Sequence, residues 1–176
     1  LQIIFDSCFV PDDQVLGQVG EGFIQSMKIL DGGRISIAAL SVGIAKGAHQ
    51  AAVRYSRERE QFGQPIGDFQ GIAFKLAEMA TELEAARLLV YQAAWAHDCG
   101  NADAKQKSSM AKLYATEAAQ RVVDQALQIH GGNGLVAGSM VGAERGRVAE
   151  RRTEAGGTHH RAVRARQATR RDDIPV

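Results

Sequence analysis

The sequence predicts an all-α protein: an antiparallel helical bundle preceded by a short β or irregular segment. Three observations carry this. Aromatic residues make up only 6 % of the chain, and alanine is abundant through its middle, a composition that favours helices over a sandwich or barrel. Apolar residues recur at steps of three and four over long stretches. Glycine and proline are concentrated at a few places that divide those stretches. A length of 176 residues, 23 % of them charged and 45 % hydrophobic, fits about one globular domain.

Residues 1–19 read as irregular or strand, with the apolar run Ile3-Ile4-Phe5, a turn at Pro11-Asp12-Asp13, and Gly17 and Gly20 as punctuation. A first helix is expected from about Gly22 to Arg59, on the stripe Phe23, Met27, Leu30, Ile37, Leu40, Ile44, Val53. Gly32, Gly33, Gly43 and Gly47 interrupt it. Each costs about 1 kcal/mol relative to alanine, tolerable where packing compensates or a close backbone approach requires it. Gln61–Asp68, with Gly63, Pro65 and Gly67, breaks the helix, and Pro65 pushes Gln64 away from helical dihedrals. A second helix follows from about Phe69 to Asp98, striped by Ile72, Leu76, Met79, Leu83, Ala86, Val90 and Ala93 and ended by Gly100-Asn101. A third runs from about Ala102 to Ile129, with Met110, Leu113, Thr116, Ala119, Val123 and Leu127 on one face, and ends at Gly131, Gly132 and Gly134. Three long helices on short loops pack antiparallel. Their broad apolar faces call for a further surface, from a second copy or from partner domains.

Residues 142–176 differ from the rest. They contain nine arginines and five acidic residues, net +4, which leaves −3 for the body of a chain whose total is +1. They contain no Leu, Met, Phe, Tyr or Trp. Such a segment has little to bury against the entropy of ordering, so a disordered tail is one reading. A nucleic-acid arm is a second, opposed by the interspersed acids and by the near-neutral chain. No apolar run is long enough for a membrane span. Cys8 and Cys99 have neither disulfide-framework nor metal-ligand spacing and suit a reducing cytoplasm. The adjacent His159 and His160 lack a third ligand, so no metal site is expected.

Three groups could carry chemistry. Arg59, at a helix end beside Gly63, could grip a phosphate or stabilise the helix terminus through its dipole. The turn Gln128-Ile129-His130-Gly131-Gly132-Asn133-Gly134 could admit a flat ligand close to its backbone, or be a glycine-rich helix cap. Asp31 and Arg34, three apart on one helical face, could bind a polar ligand group or pair with each other.

Taken together and in order, these pieces resemble the C-terminal half of an acyl-CoA dehydrogenase. The matching stretches are Val10-Pro11 through Gly17, Gly20-Glu21-Gly22-Phe23, Leu30-Asp31-Gly32-Gly33-Arg34, Tyr55 through Ile66 with Phe69-Gln70, Lys75 through Met79, and Gln128 through Gly134. The resemblance implies residues 1–19 as the exit of the family's β-domain, 20–141 as its helical bundle and 142–176 as an atypical Arg/Gly/Ala-rich tail. It implies an FAD-dependent oxidation of an acyl-CoA thioester to the 2,3-enoyl-CoA, in which a carboxylate takes the α-proton and a hydride leaves the β-carbon for the flavin. By position, Arg59 and Gln61 would bind the FAD pyrophosphate region of a neighbouring subunit, with Phe62 and Gln70 bordering it. Gln128, Gly131 and Gly132 would receive its adenosine end, and Asp31 and Arg34 would border the acyl-CoA. It further implies a homodimer or homotetramer and an electron-transfer flavoprotein or similar acceptor.

The family's N-terminal helical domain and most of its middle domain have no counterpart in these residues, which predicts weak or no FAD retention. The family's usual base, a glutamate in Tyr-Glu-Gly-Thr, is absent as a motif, and the alternative position just before the helix arginine is Gly33. Counting back from His160-Arg161-Ala162-Val163 puts Glu154 at the catalytic place; counting forward from Gly131 puts Ala155 there. A double reading-frame shift in a GC-rich gene is therefore a third reading of the tail. Two alternatives to the dehydrogenase remain open: a non-catalytic helical oligomerisation module, and a flavin-dependent monooxygenase of the same fold.

Overall fold

A computed structural model describes residues 3–136 and 141–142; Glu154, the histidine pair and, save Gly142, the Arg-rich tail lie outside them. Three helices make the body: α1 (Gly22–Glu58), α2 (Gln70–Asp98) and α3 (Ala104–His130). Two-residue strands β1 (Glu60–Gln61) and β2 (Gln64–Pro65) form an antiparallel hairpin between α1 and α2, with Glu60 opposite Pro65 and Gln61 opposite Gln64. The described part of the leading segment is irregular, apart from a single 3-10 turn over Asp12–Gln14.

Each helix ends where the local chemistry requires. Gly100, at φ +64°, closes α2: its N–H donates to the His97 carbonyl and the Asn101 N–H to that of Ala96, both at 3.0 Å. This pair of bonds satisfies two carbonyls that the helix leaves open. Asp103 begins α3 and pairs with Lys107 one turn on, at 2.9 Å. At the end of α1, the Arg59 N–H donates to the Tyr55 carbonyl (2.9 Å), and the Arg59 carbonyl accepts from Ile66 (2.8 Å), which folds the chain back into the hairpin.

Consecutive helices run antiparallel, so α1 and α3 are parallel. Lys75 near the start of α2 donates to Gln125 near the end of α3 (2.9 Å), and Arg121 pairs with Glu82 (2.7 Å). The beginnings of α1 and α3 meet through Asp31 and Lys105, and their ends through Tyr55 and His130.

The core differs from the stripe of large residues that the periodicity suggests for α1. The buried face of that helix is Ala38, Ser41, Ala45, Ala48, Ala51, Ala52 and Ser56. It meets an α3 face built largely of alanine, with Val122, Val123 and Ile129. Small side chains let the two axes approach closely, and the larger residues are displaced outward: Phe23 is 76 % exposed, and Leu30, Leu40, Met110 and Leu113 are exposed too. On α2 the expected stripe does face inward, and Met79 is among the largest fully buried side chains. The buried hydroxyls cost little because each bonds to its own helix: Ser41 to the Ile37 carbonyl (2.9 Å), Ser56 to Val53 (2.8 Å) and Thr116 to Lys112 (2.9 Å).

Candidate functional site

The parallel course of α1 and α3 gathers most of the sequence-derived site residues at one end of the bundle. Arg59 and Gln61 lie on the exposed hairpin, Gln70 at the exposed first turn of α2, and Gln128, Gly131 and Gly132 at the exposed end of α3. No described atom would meet a Cβ placed on Gly131 or Gly132 within 4 Å, so this backbone is open to a ligand, and Gly131 sits at φ +56°.

Phe62 is the feature that periodicity and punctuation did not reveal. It and Gly63 are the two central residues of the hairpin turn, at φ +54° and +81°. That conformation matches the twist of a two-residue hairpin loop, where Asn-Gly is the usual pair. A bulky residue there costs about 1–2 kcal/mol. The ring is nonetheless 96 % exposed and touches only the edge of Phe69 (centroids 6.3 Å apart) among the ring contacts formed. Backbone strain together with exposure of an aromatic ring makes Phe62 a candidate functional position. The Gln61 amide donates to the Glu60 carbonyl (2.5 Å), which orders the hairpin beside it.

Behind the glycine turn stands a second group. The His130 ring stacks on Tyr55 (centroids 4.5 Å, 22° between planes), its Nδ1 lies 2.7 Å from the Ala126 carbonyl, and the Asn133 amide donates to the Tyr55 hydroxyl at 2.9 Å. With Ala51, Arg54, Glu58 and Val141 they line a cleft of about 370 Å³.

Asp31 and Arg34 are at the opposite end. They form an ion pair, and the other Asp31 oxygen lies 3.2 Å from Lys105 Nζ. Sequence spacing showed the first partner; the second follows only from α1 and α3 starting side by side. Both residues are partly buried, and Asp31 joins Lys28, Gly32, Ile35, His97 and Lys105 in lining a cleft of about 210 Å³. With α1 rising ~1.5 Å per residue, Asp31 and the hairpin are separated by about 40 Å. One chain therefore presents two separate groups.

The resolved carboxyl shift lies away from both: Glu84, on the outer face of α2, is held below its ordinary value by its hydrogen bonds from Arg87, one of them 2.8 Å long. Among the described residues no group of His, Cys, Asp and Glu could hold a metal ion.

Residues 20–169 match the family model described as "Acyl-CoA dehydrogenase, C-terminal domain". The chain belongs to the acyl-CoA dehydrogenase family. It is 48 % identical over 134 residues to the caffeyl-CoA reductase-Etf complex subunit CarC of Acetobacterium woodii, covering 76 % of this chain and 35 % of that relative. In structure it resembles butyryl-CoA dehydrogenase from Megasphaera elsdenii, with a TM-score of 0.77 and 42 % identity over 81 % of this chain and 37 % of that one. It also resembles PigA with FAD and proline, with a TM-score of 0.82 and 28 % identity over 95 % of this chain and 44 % of that one. The chain thus spans about a third of the length of the curated relatives it matches. The all-α architecture is that of the acyl-CoA dehydrogenase C-terminal domain, and no described helix is long and apolar enough to cross a membrane.

Proposed function

We propose that this chain is the C-terminal helical domain of an FAD-dependent enzyme that oxidises an acyl-CoA thioester to its 2,3-enoyl-CoA. The observation that carries the reading is the hairpin: an exposed, strained Phe62 flanked by Arg59 and Gln61, at the same bundle end as the open Gly131-Gly132 backbone. The residues fit a dinucleotide. A guanidinium and backbone N–H groups suit a pyrophosphate, an exposed ring suits an apolar edge, and glycines without Cβ admit a flat base. Arg59, Gln61, Phe62 and Gln70 would hold the pyrophosphate region, and Gln128, Gly131 and Gly132 the adenosine end.

Bound FAD supplies the hydride acceptor for the substrate β-carbon. The remaining steps fall to the protein. A carboxylate takes the α-proton, and Glu154, beyond the described residues, is the position the family resemblance offers for it. Asp31 and Arg34, held together with Lys105, would border the acyl-CoA. The distance of about 40 Å along α1 favours an assembly in which the hairpin of one copy serves the flavin of another. A homodimer or homotetramer follows, consistent with the apolar side chains exposed on α1 and α2. An electron-transfer flavoprotein or a similar acceptor would reoxidise the flavin.

The test is an FAD titration followed by amide resonances. Shifts confined to Arg59–Phe62, Gln70 and Gln128–Gly132 are expected, and weaker ones for Arg59→Ala. Absence of shifts at these positions up to millimolar FAD overturns the assignment. Turnover of acyl-CoA with an electron acceptor, set against oxygenation with reduced flavin, separates the dehydrogenase from a monooxygenase of the same fold. Failure of both reactions by a stable, associated chain favours the oligomerisation module.

A further inference from the structure

We infer that Tyr55, His130 and Asn133 are positioning residues: a clasp that fixes the open Gly131-Gly132 backbone relative to the hairpin. The inference rests on the reading of those two elements as the nucleotide-binding end.

Tyr55 reaches both elements at once. Its backbone carbonyl accepts the N–H of Arg59 at 2.9 Å, which sets where α1 stops and the hairpin starts. Its hydroxyl accepts from Asn133 at 2.9 Å, inside the glycine turn, and its ring carries His130, the residue immediately before that turn. His130 is fixed in turn by Nδ1, which donates to the Ala126 carbonyl at 2.7 Å; the carbonyl can only accept, so the proton is on Nδ1. The turn also folds tightly back on the helix. A Cβ on Gly134 would stand 3.1 Å from His130 Cβ and 3.2 Å from the Leu127 carbonyl oxygen, so Gly134 is the residue that permits the approach.

The result is a short path, Arg59–Tyr55–Asn133, that spans the two ligand-facing elements along the edge of the bundle core, against which Tyr55 packs. Glycines lose more conformational freedom on ordering than any other residue. A turn holding Gly131, Gly132 and Gly134 therefore needs such an external tie if its open backbone is to stay in one place. The clasp supplies that preorganisation.

The experiment is amide hydrogen exchange on Tyr55→Phe, His130→Phe and His130→Ala, with ADP as the probe of the nucleotide end. Tyr55→Phe removes one hydrogen bond and keeps the stack. It is expected to speed exchange across residues 131–135 about fivefold, the equivalent of one net hydrogen bond, with α2 unchanged. His130→Ala is expected to exceed that effect, and His130→Phe, which restores the stack, to recover most of it. ADP affinity is expected to fall in the same order as turn exchange rises. Exchange at 131–135 that is unchanged in Tyr55→Phe and His130→Ala, or raised equally in every helix, overturns the clasp. If the turn loosens as expected but wild-type protein does not bind ADP, the clasp stands and the nucleotide reading falls.

Discussion

Replacing Gly43 by alanine should make the protein more stable. Gly43 lies in the interior of α1, is exposed, and has no described atom within 4 Å of where a Cβ would stand. Nothing in the described bundle requires a glycine, so the substitution recovers the helix penalty of about 1 kcal/mol. For a chain of this size that is a rise in Tm of roughly 2–4 °C. Gly67 is the matched opposite. Its Cβ would stand 3.1 Å from the Ser56 carbonyl oxygen and 3.3 Å from Ser56 Oγ, on a residue that is itself buried. That neighbour is backbone at the end of α1 and has little room to yield, so Gly67→Ala should cost about 1–3 kcal/mol. Thermal melts by circular dichroism, run on dilute and concentrated samples of each variant, decide the matter. A lower Tm for Gly43→Ala in dilute monomer, or a Tm at or above wild type for Gly67→Ala, refutes the packing argument. A loss for Gly43→Ala that appears only on association instead locates a neighbouring helix against this face.

Met79→Ala should be the more damaging change, about 2–4 kcal/mol in a denaturant titration, because it empties one of the largest buried side chains. Asp31→Asn weakens contacts to both Arg34 and Lys105; since the groups are partly exposed, a loss of about 0.5–1 kcal/mol is expected, shrinking with added salt. Glu84 has a folded-state pKa below its ordinary value of 4.5, so its pairing with Arg87 stabilises the fold above that value and is lost as pH falls through the lowered one. Glu84→Gln should therefore melt below wild type at neutral pH and converge with it in acid; a constant gap down to strongly acidic pH contradicts the assignment.

The helices were legible because their signals are local. Gly100 and Asn101 announced the end of α2, Pro65 and its flanking glycines announced the break, and each helix boundary fell within two residues of its expected place. Which face of α1 turns inward was not legible. Periodicity weights large side chains, but here the tightest packing joins alanines and serines, and only the approach of α3 reveals that their stripe is the core. The same limit applied to the sites. Asp31 and Arg34 are visible as an i,i+3 pair, whereas Lys105 and the Tyr55–His130–Asn133 group are joined only by tertiary pairing of α1 with α3. A phenylalanine in a positive-φ turn position violates turn chemistry, so sequence preference alone points away from the backbone Phe62 adopts.

The separation of the hairpin and the Asp31–Arg34 pair to opposite ends of one helix has a genetic consequence. On the proposed reading, a chain with a damaged hairpin and a chain with a damaged Asp31 are each inactive alone, since every site in either assembly lacks one half. Co-expressed, they can form a hybrid in which one site receives both sound halves and the other receives both defects. Two alleles that fail separately would then complement each other, and two alleles damaged at the same end would not.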